Sequence, residues 1–162
     1  MLRLGLVFSL ILLLDQSSKW LVRSTMSLGE SISVLGETLR ITFIENPGIA
    51  FGLRIGNGAV FTILSILASL GVLVYLLTHR HEKLGVQVGL VCILGGAFGN
   101  LMDRILIGKV ADFIDIGVHD IRWPVFNVAD SAVVVGMAIL LITVFLADSK
   151  RKVEQRTARA SE

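Results

Sequence analysis

Cysteine is nearly absent from this 162-residue sequence, and charge is sparse before its C-terminal tail. Its one cysteine, Cys92, has no partner for an internal disulfide or a thiolate metal site. Set in an apolar run, it reads as a small buried side chain. The three histidines, His79, His81 and His119, lack ligand spacing, so no metal centre is expected. Ser17 and Ser18 have no histidine nearby, which leaves a serine nucleophile without its base. Charged residues make up only 17%, with a formal net charge of +2. No basic–aromatic stripe is present, so a pI near 9.0 does not argue for nucleic acid. No internal repeat is evident.

What is abundant is apolar length. Hydrophobic residues reach 54% and mean hydropathy is +0.79, far above a soluble domain. A membrane helix needs roughly 20 mostly apolar residues. Residues 59–78 meet this without a charge; 84–107 and 125–147 do so with a few polar interruptions. Residues 2–22 are harder, because "DQSSK" interrupts the apolar run. With no small-x-small cleavage pattern after residue 14, this segment reads as a retained helix rather than a leader.

Four spans put both termini on one side. Arg3, Arg80, Lys83, Lys150, Arg151, Lys152, Arg156 and Arg159 fall on the termini and the middle loop, so that side is cytoplasmic. Segments 24–58 and 108–124 then face outward. β-branched runs flank "LGET" at 35–38, a hairpin pattern, and "FIDIGV" offers another strand. Trp123 and Pro124 suit the start of the last helix, with proline in its first turn. The tail, 148–162, is polar and expected to fray.

At 1.5 Å rise per residue, Asp15 lies roughly 10 Å below the outer surface, Asp103 roughly 6 Å and Asp130 roughly 9 Å. The spans alternate in direction, so this agreement in depth is not imposed by sequence order. Asn100, Asp103 and Arg104 share a helix face, as do Asn127, Asp130 and Ser131, and Asp15 and Lys19. Ionisable groups in hydrocarbon turn to the bundle interior or a wet cavity, so these faces should converge. Taken alone, Asp103 with Arg104 and Asp15 with Lys19 read as structural ion pairs. Asp115, Asp120 and, by itself, Asp112 read as solvated loop charges. Asp130 has no cation within a turn of its own helix and points to function.

Five ordered motifs then carry a resemblance: "DQSSK" (15–19), "ENPGIAFG" (45–52), "GNLMDR" (99–104), "VADFID" (110–115) and "FNVADS" (126–131). Together they resemble the lipoprotein signal peptidase (signal peptidase II) family, aspartyl peptidases of the bacterial inner membrane. Ile49 departs from the family's usual alanine. The resemblance implies an all-α membrane protein with a small extracytoplasmic β element. It would form one integral peptidase domain, residues 1–162, with four transmembrane helices and cytoplasmic termini. It implies a catalytic pair, Asp112 and Asp130. Supporting or substrate-binding positions are Asp15, Lys19, Asn46, Gly48, Ala50, Phe51, Gly52, Asn100, Asp103, Arg104, Asn127 and Ala129. Asn46 and Arg104 are the residues expected to touch ligand; Asp15 and Lys19 are expected to tie the first helix to the outer loop. The implied substrates are diacylglyceryl-modified prolipoproteins, drawn from membrane lipid and cut just before the lipidated cysteine on the extracytoplasmic side. No cofactor, metal or nucleic acid is expected, and the enzyme is expected to be monomeric. The rival readings are a small proton- or ion-coupled transporter using the aspartates, and an assembly module. The latter would pack through Gly85, Gly89, Gly95, Gly96 and Gly99.

Overall fold

The computed structural model describes the backbone of residues 2–50, 53–54 and 58–160, with the side chains of 49–50, 53–54, 58, 61, 148 and 150–160 excepted. The elements in order are α1 (Leu2–Thr25), β1 (Ser31–Leu35), β2 (Leu39–Asn46), β3 (Ile49–Ala50), β4 (Leu53–Arg54), α2 (Gly58–Thr78), α3 (Leu84–Leu106), β5 (Val110–Val118), β6 (Ile121–Arg122) and α4 (Val128–Ala160). Among the described residues three helices are long and apolar enough to cross a membrane: α1, α3 and residues 128–147 of α4. A further apolar helical stretch in α2 runs over Thr62–Thr78. Large apolar side chains such as Leu13, Leu67 and Phe145 are exposed on these helices. That arrangement suits hydrocarbon as the surrounding solvent, where apolar exposure carries no penalty.

Helix α3 is the hub, packing against α1, α2 and α4. Its glycines explain how closely α4 approaches. A Cβ at Gly136 would lie 2.6 Å from the carbonyl oxygen of Gly89, and one at Gly96 would strike the carbonyl of Ala129. The two backbones are in direct contact, a packing that only glycine permits. The small faces read from the sequence therefore serve helix packing within one chain.

At one end of the helices lies an antiparallel sheet in the order β1-β2-β5-β6, and β3 and β4 form a separate two-stranded ribbon. The expected hairpin is present, turning at Gly36 with φ +53. β5 pairs with β2, setting Asp112 opposite Ile44 and Val110 opposite Asn46. Successive strand side chains face opposite ways. Ala111 and Phe113 join Val22 and Phe43 in the apolar core between sheet and α1. Asp112 therefore points to the other face. The residue expected on an outer loop is thus fixed in a strand.

Three more expectations are corrected. The last helix begins at Val128, not at residue 125. Phe126 instead clips onto β5: its N–H donates to the Ile114 carbonyl at 3.1 Å, and its carbonyl accepts from Phe113 and Ile114 at 3.0 and 2.7 Å. Pro124 accordingly precedes this strand-like segment rather than opening the helix. The tail does not fray at residue 148; its backbone stays helical to Ala160. Nor is Asp115 a solvated loop charge. It is buried, paired with Arg122 at 2.6 Å, and accepts from the Thr42 hydroxyl at 2.8 Å.

Two predictions follow from this packing. Gly96→Ala should destabilise the detergent-solubilised protein by about 1–3 kcal/mol through overpacking. Gly71→Ala, inside α2 with nothing within 4 Å, should not lower the melting temperature and should raise it slightly, because a helix-interior glycine is removed without a clash. Burial pushes the Asp115 carboxyl up, but hydrogen bonds from Arg122 and Thr42 and the charges of Arg122 and Arg40 outweigh it and hold it below the ordinary 3.8. Its stabilising contribution is full above that value and is lost as pH falls through the lower, folded-state value. The protection factor of the Gly117 amide, taken against the intrinsic exchange rate at each pH, should fall in that acidic window, and Asp115→Asn should abolish this pH dependence of protection.

Candidate active site

Two local chain reversals bring the aspartates of "VADFID" and "FNVADS" together. The first is at the end of α3. Gly108 adopts φ +83, and its N–H returns to the Asp103 carbonyl at 3.1 Å, closing the helix with a left-handed residue. β5 starts two residues later, alongside the last turn of α3. The Ala111 N–H then donates to the Asp103 carboxylate at 3.2 Å.

The second reversal starts α4. Asn127 is its N-cap: Oδ1 accepts from the Asp130 N–H at 3.0 Å, while the Asp130 carboxylate accepts from the Asn127 N–H at 3.1 Å. This is a reciprocal capping box in an Asn-x-x-Asp form. The Asn127 amide nitrogen has other partners. It donates to Asp112 Oδ1 at 2.6 Å, to Asn100 Oδ1 at 3.1 Å and to the Ala111 carbonyl at 3.3 Å. One fully buried amide thus holds both aspartates.

The remaining oxygens are also engaged. Asp112 Oδ2 accepts from the Asn46 amide at 3.0 Å, and Asp130 Oδ1 from the Asn100 amide at 2.8 Å. Asn46 Oδ1 in turn accepts from the Gly48 N–H at 2.9 Å, with Gly48 at φ +112. That conformation favours glycine and folds the "ENPG" segment back over Asp112. Burial pushes the Asp112 carboxyl up to about 6. The hydrogen bond from Asn46 opposes this, the charge of Asp130 adds to it, and Asn127 and Lys19 oppose it.

Beneath the aspartates lies a buried ionic cluster. The Lys19 ammonium, fully buried, contacts Asp15 at 2.9 Å and Asp103 at 3.3 Å and donates to Asn100 Oδ1 at 2.8 Å. Arg23 forks onto both oxygens of Asp103 at 3.3 and 3.1 Å. Asp15 accepts from the Ala129 N–H at 2.9 Å and from Gln16 at 2.9 Å. The Asp15 carboxylate fits only because Gly99 has no side chain; a Cβ there would lie 2.5 Å from Oδ2.

The structure therefore gathers Asp15, Lys19, Asn46, Gly48, Asn100, Asp103, Arg104, Asp112, Asn127, Ala129 and Asp130. Ala50 sits in β3, its side chain outside the described part; Phe51 and Gly52 lie outside the described residues altogether. Two pairings differ from expectation. Asp103 pairs with Lys19 and Arg23 rather than with its neighbour Arg104. Asp15 and Lys19 tie α1 to α3 and to the start of α4, not to the outer loop. Arg104 instead reaches toward α2, with Nη1 3.4 Å from Ser65 Oγ. Its charged neighbours are Asp130, Asp112 and Asp103, and its buried Nε has no hydrogen-bond partner among the described residues. Arg23 and Gln16 were given no role from sequence. Arg23 was nonetheless signalled by its place at i+8 on the face of Asp15 and Lys19.

Residues 7–146 match the model of the signal peptidase (SPase) II family. The chain is similar to the lipoprotein signal peptidase of Syntrophus aciditrophicus, at 41% identity over 82% of this chain and 86% of that one. It is likewise similar to the lipoprotein signal peptidase of Halalkalibacterium halodurans, at 39% identity over 93% and 96%. A bacterial membrane enzyme solved by the in meso method at 2.3 Å superimposes with TM-score 0.84 and 30% identity, over 93% of this chain and 92% of the other. With its membrane helices, its antiparallel sheet and this match along most of its length, the chain belongs to the signal peptidase II family of membrane peptidases.

Proposed function

We propose that this peptidase removes signal peptides from diacylglyceryl-modified prolipoproteins, cutting just before the lipidated cysteine with Asp112 and Asp130 as an aspartyl pair. The observation that carries the reading is the shared Asn127 amide. Its nitrogen donates to Asp112 at 2.6 Å while its oxygen caps α4 by accepting from the Asp130 N–H at 3.0 Å. Carboxylates drawn together this way cannot both ionise cheaply, so the pair retains one proton. One carboxylate takes a proton from a water whose oxygen attacks the scissile carbonyl. The other, protonated, gives its proton to the carbonyl oxygen. The tetrahedral intermediate collapses with a proton delivered to the cysteine nitrogen. The products are a free signal-peptide carboxylate and a lipidated cysteine at the new N-terminus.

The supporting groups take roles on the same reading. Asn46 and Gly48 belong to the segment that meets the substrate backbone, and Ala50, Phe51 and Gly52 share its sequence motif. Arg104 offers its unpaired Nε to a polar substrate group. In the membrane, α2 is the fourth span, both termini are cytoplasmic and the aspartates sit at the extracytoplasmic end. α2 rests on α3, whereas α4 packs on α3 and α1. A lateral opening between α2 and α4 would admit the lipid chains from the bilayer. The carboxylates gather at one end of the bundle, against the sheet. A transporter would hold them near the midplane.

Two measurements test this. With a diacylated lipobox peptide in detergent, Asp112→Asn and Asp130→Asn should each lower kcat by about 100- to 10,000-fold, with folding retained. Near-wild-type cleavage by either variant removes the assignment. The second is an infrared titration of the apo protein. The Asp112 carboxyl should titrate at about 6. Asn46→Leu removes a hydrogen bond that favours the carboxylate and should raise that value, whereas Asp130→Asn removes a like charge and should lower it.

A further inference from the structure

The two halves of the site are held in the same way. Asp112 and Asp130 each end a Val-Ala-Asp triplet, 110–112 and 128–130. In each triplet the alanine N–H, one peptide before the aspartate, donates to a buried carboxylate. Ala111 donates to Asp103 at 3.2 Å, and Ala129 to Asp15 at 2.9 Å. Both carboxylates are bound by one cation, Lys19, at 3.3 and 2.9 Å. Its third contact, to Asn100 at 2.8 Å, leads to the side chain of Asp130 at 2.8 Å. Ala111, Ala129, Asp15 and Lys19 are all completely buried.

We propose that Lys19 is a positioning residue of the cleavage reaction. By holding Asp15 and Asp103 together, it fixes the two backbone segments that carry Asp112 and Asp130 at the separation where they share a proton. This rests on the aspartyl-pair reading above. Burying an ammonium is costly, and hydrophobic replacements of buried ion pairs are often no less stable, so stability alone gives a weak reason for this one. Its position between two identical backbone grips gives a functional reason. The charged groups facing the pair are Lys19 and Asp15 from α1 and Asp103 and Arg104 from α3; Asn46, Asn100 and Asn127 complete the surroundings. Arg23 holds Asp103 from outside, so Asp103 keeps one cation without Lys19, whereas Asp15 has only Lys19 among the ion pairs of the described residues.

The test is the pH dependence of kcat and KM for Lys19→Met on a diacylated lipobox peptide, with Asp112→Asn and Asp130→Asn assayed alongside. Displacing reacting groups by a fraction of an ångström to 1 Å costs up to about 100-fold. The expected result is a kcat loss of about 10- to 100-fold with KM little changed. The pH profile should also shift to higher pH, since Asp112 loses the buried charge of Lys19, which favours its ionised form. A merely structural lysine would lower the amount of active enzyme and leave the profile in place. If Lys19→Met does not fold, Lys19→Met with Asp15→Asn removes cation and anion together. It should fold, with the same fall in kcat and unaltered KM. Wild-type kcat and an unshifted profile in whichever variant folds overturn the proposal. Should the two Asp→Asn enzymes remain active, the aspartyl pair itself is wrong, a different failure read from different variants.

Discussion

The side-chain amide of Asn127 belongs at once to a helix terminus and to a strand. Its oxygen caps α4 through the Asp130 N–H, and its nitrogen donates to Asp112 on β5. A helix start leaves backbone N–H groups without intrahelical partners, and a side-chain oxygen normally supplies one. Here the cap is placed where the β5 edge passes, because Phe126 has just been hydrogen-bonded to Ile114. The preference for a polar residue at the N-cap thereby becomes a link between two carboxylates from separate elements. Aspartate at the third position of the capping box is also explained: it completes the cap while turning its second oxygen toward Asn100.

Burial governs the rest. In a low-dielectric interior an unmatched charge costs several kcal/mol, so charges there come in balanced, hydrogen-bonded groups. Lys19 and Arg23 answer Asp15 and Asp103, and backbone N–H groups of Ala111 and Ala129 fill remaining acceptor sites. Asp112 is treated differently. Burial pushes its carboxyl from the ordinary 3.8 up to about 6, and its two amide hydrogen bonds, with no ion pair among the described residues, only partly oppose that rise. Asp115, three residues further along β5, meets Arg122 directly and is held below the ordinary value. Two aspartates of one strand are thus separated in acidity by what faces them, and only the one without a cation partner is suited to hold a proton near neutrality.

Much of this was legible in the sequence. Apolar length gave the helices, and β-branched runs around "LGET" gave the hairpin. The ordered motifs gathered most of the residues that now meet in space. What escaped depended on geometry that spacing does not encode. Asp103 and Arg104 are adjacent in sequence but point about 100° apart on a helix, so neighbours in the chain became partners of different helices. Asp115 looked solvated because nothing in "FIDIGV" announces that β6 will return Arg122 to its side. Trp-Pro is a fair helix opening, and only the tertiary pairing of Phe126 with Ile114 delays the start of α4 to Val128. Arg23 lay on the right face, yet a basic residue at a helix end reads equally well as an interfacial charge.

Glycine sets the last constraint, because the polar cluster can exist only if helices come unusually close. Gly96 admits the Ala129 carbonyl, and Gly99, one turn of residues later, admits the Asp15 carboxylate. These two contacts act on neighbouring atoms: Ala129 receives α3 at its carbonyl and Asp15 at its N–H. A larger residue at either glycine would push α4 or α1 outward and open the distances on which Asn127, Asn100 and Lys19 depend. The small-residue face of α3 thus does more than associate helices. It brings three of them within hydrogen-bond reach at one end, which is what allows buried carboxylates to be matched there without solvent.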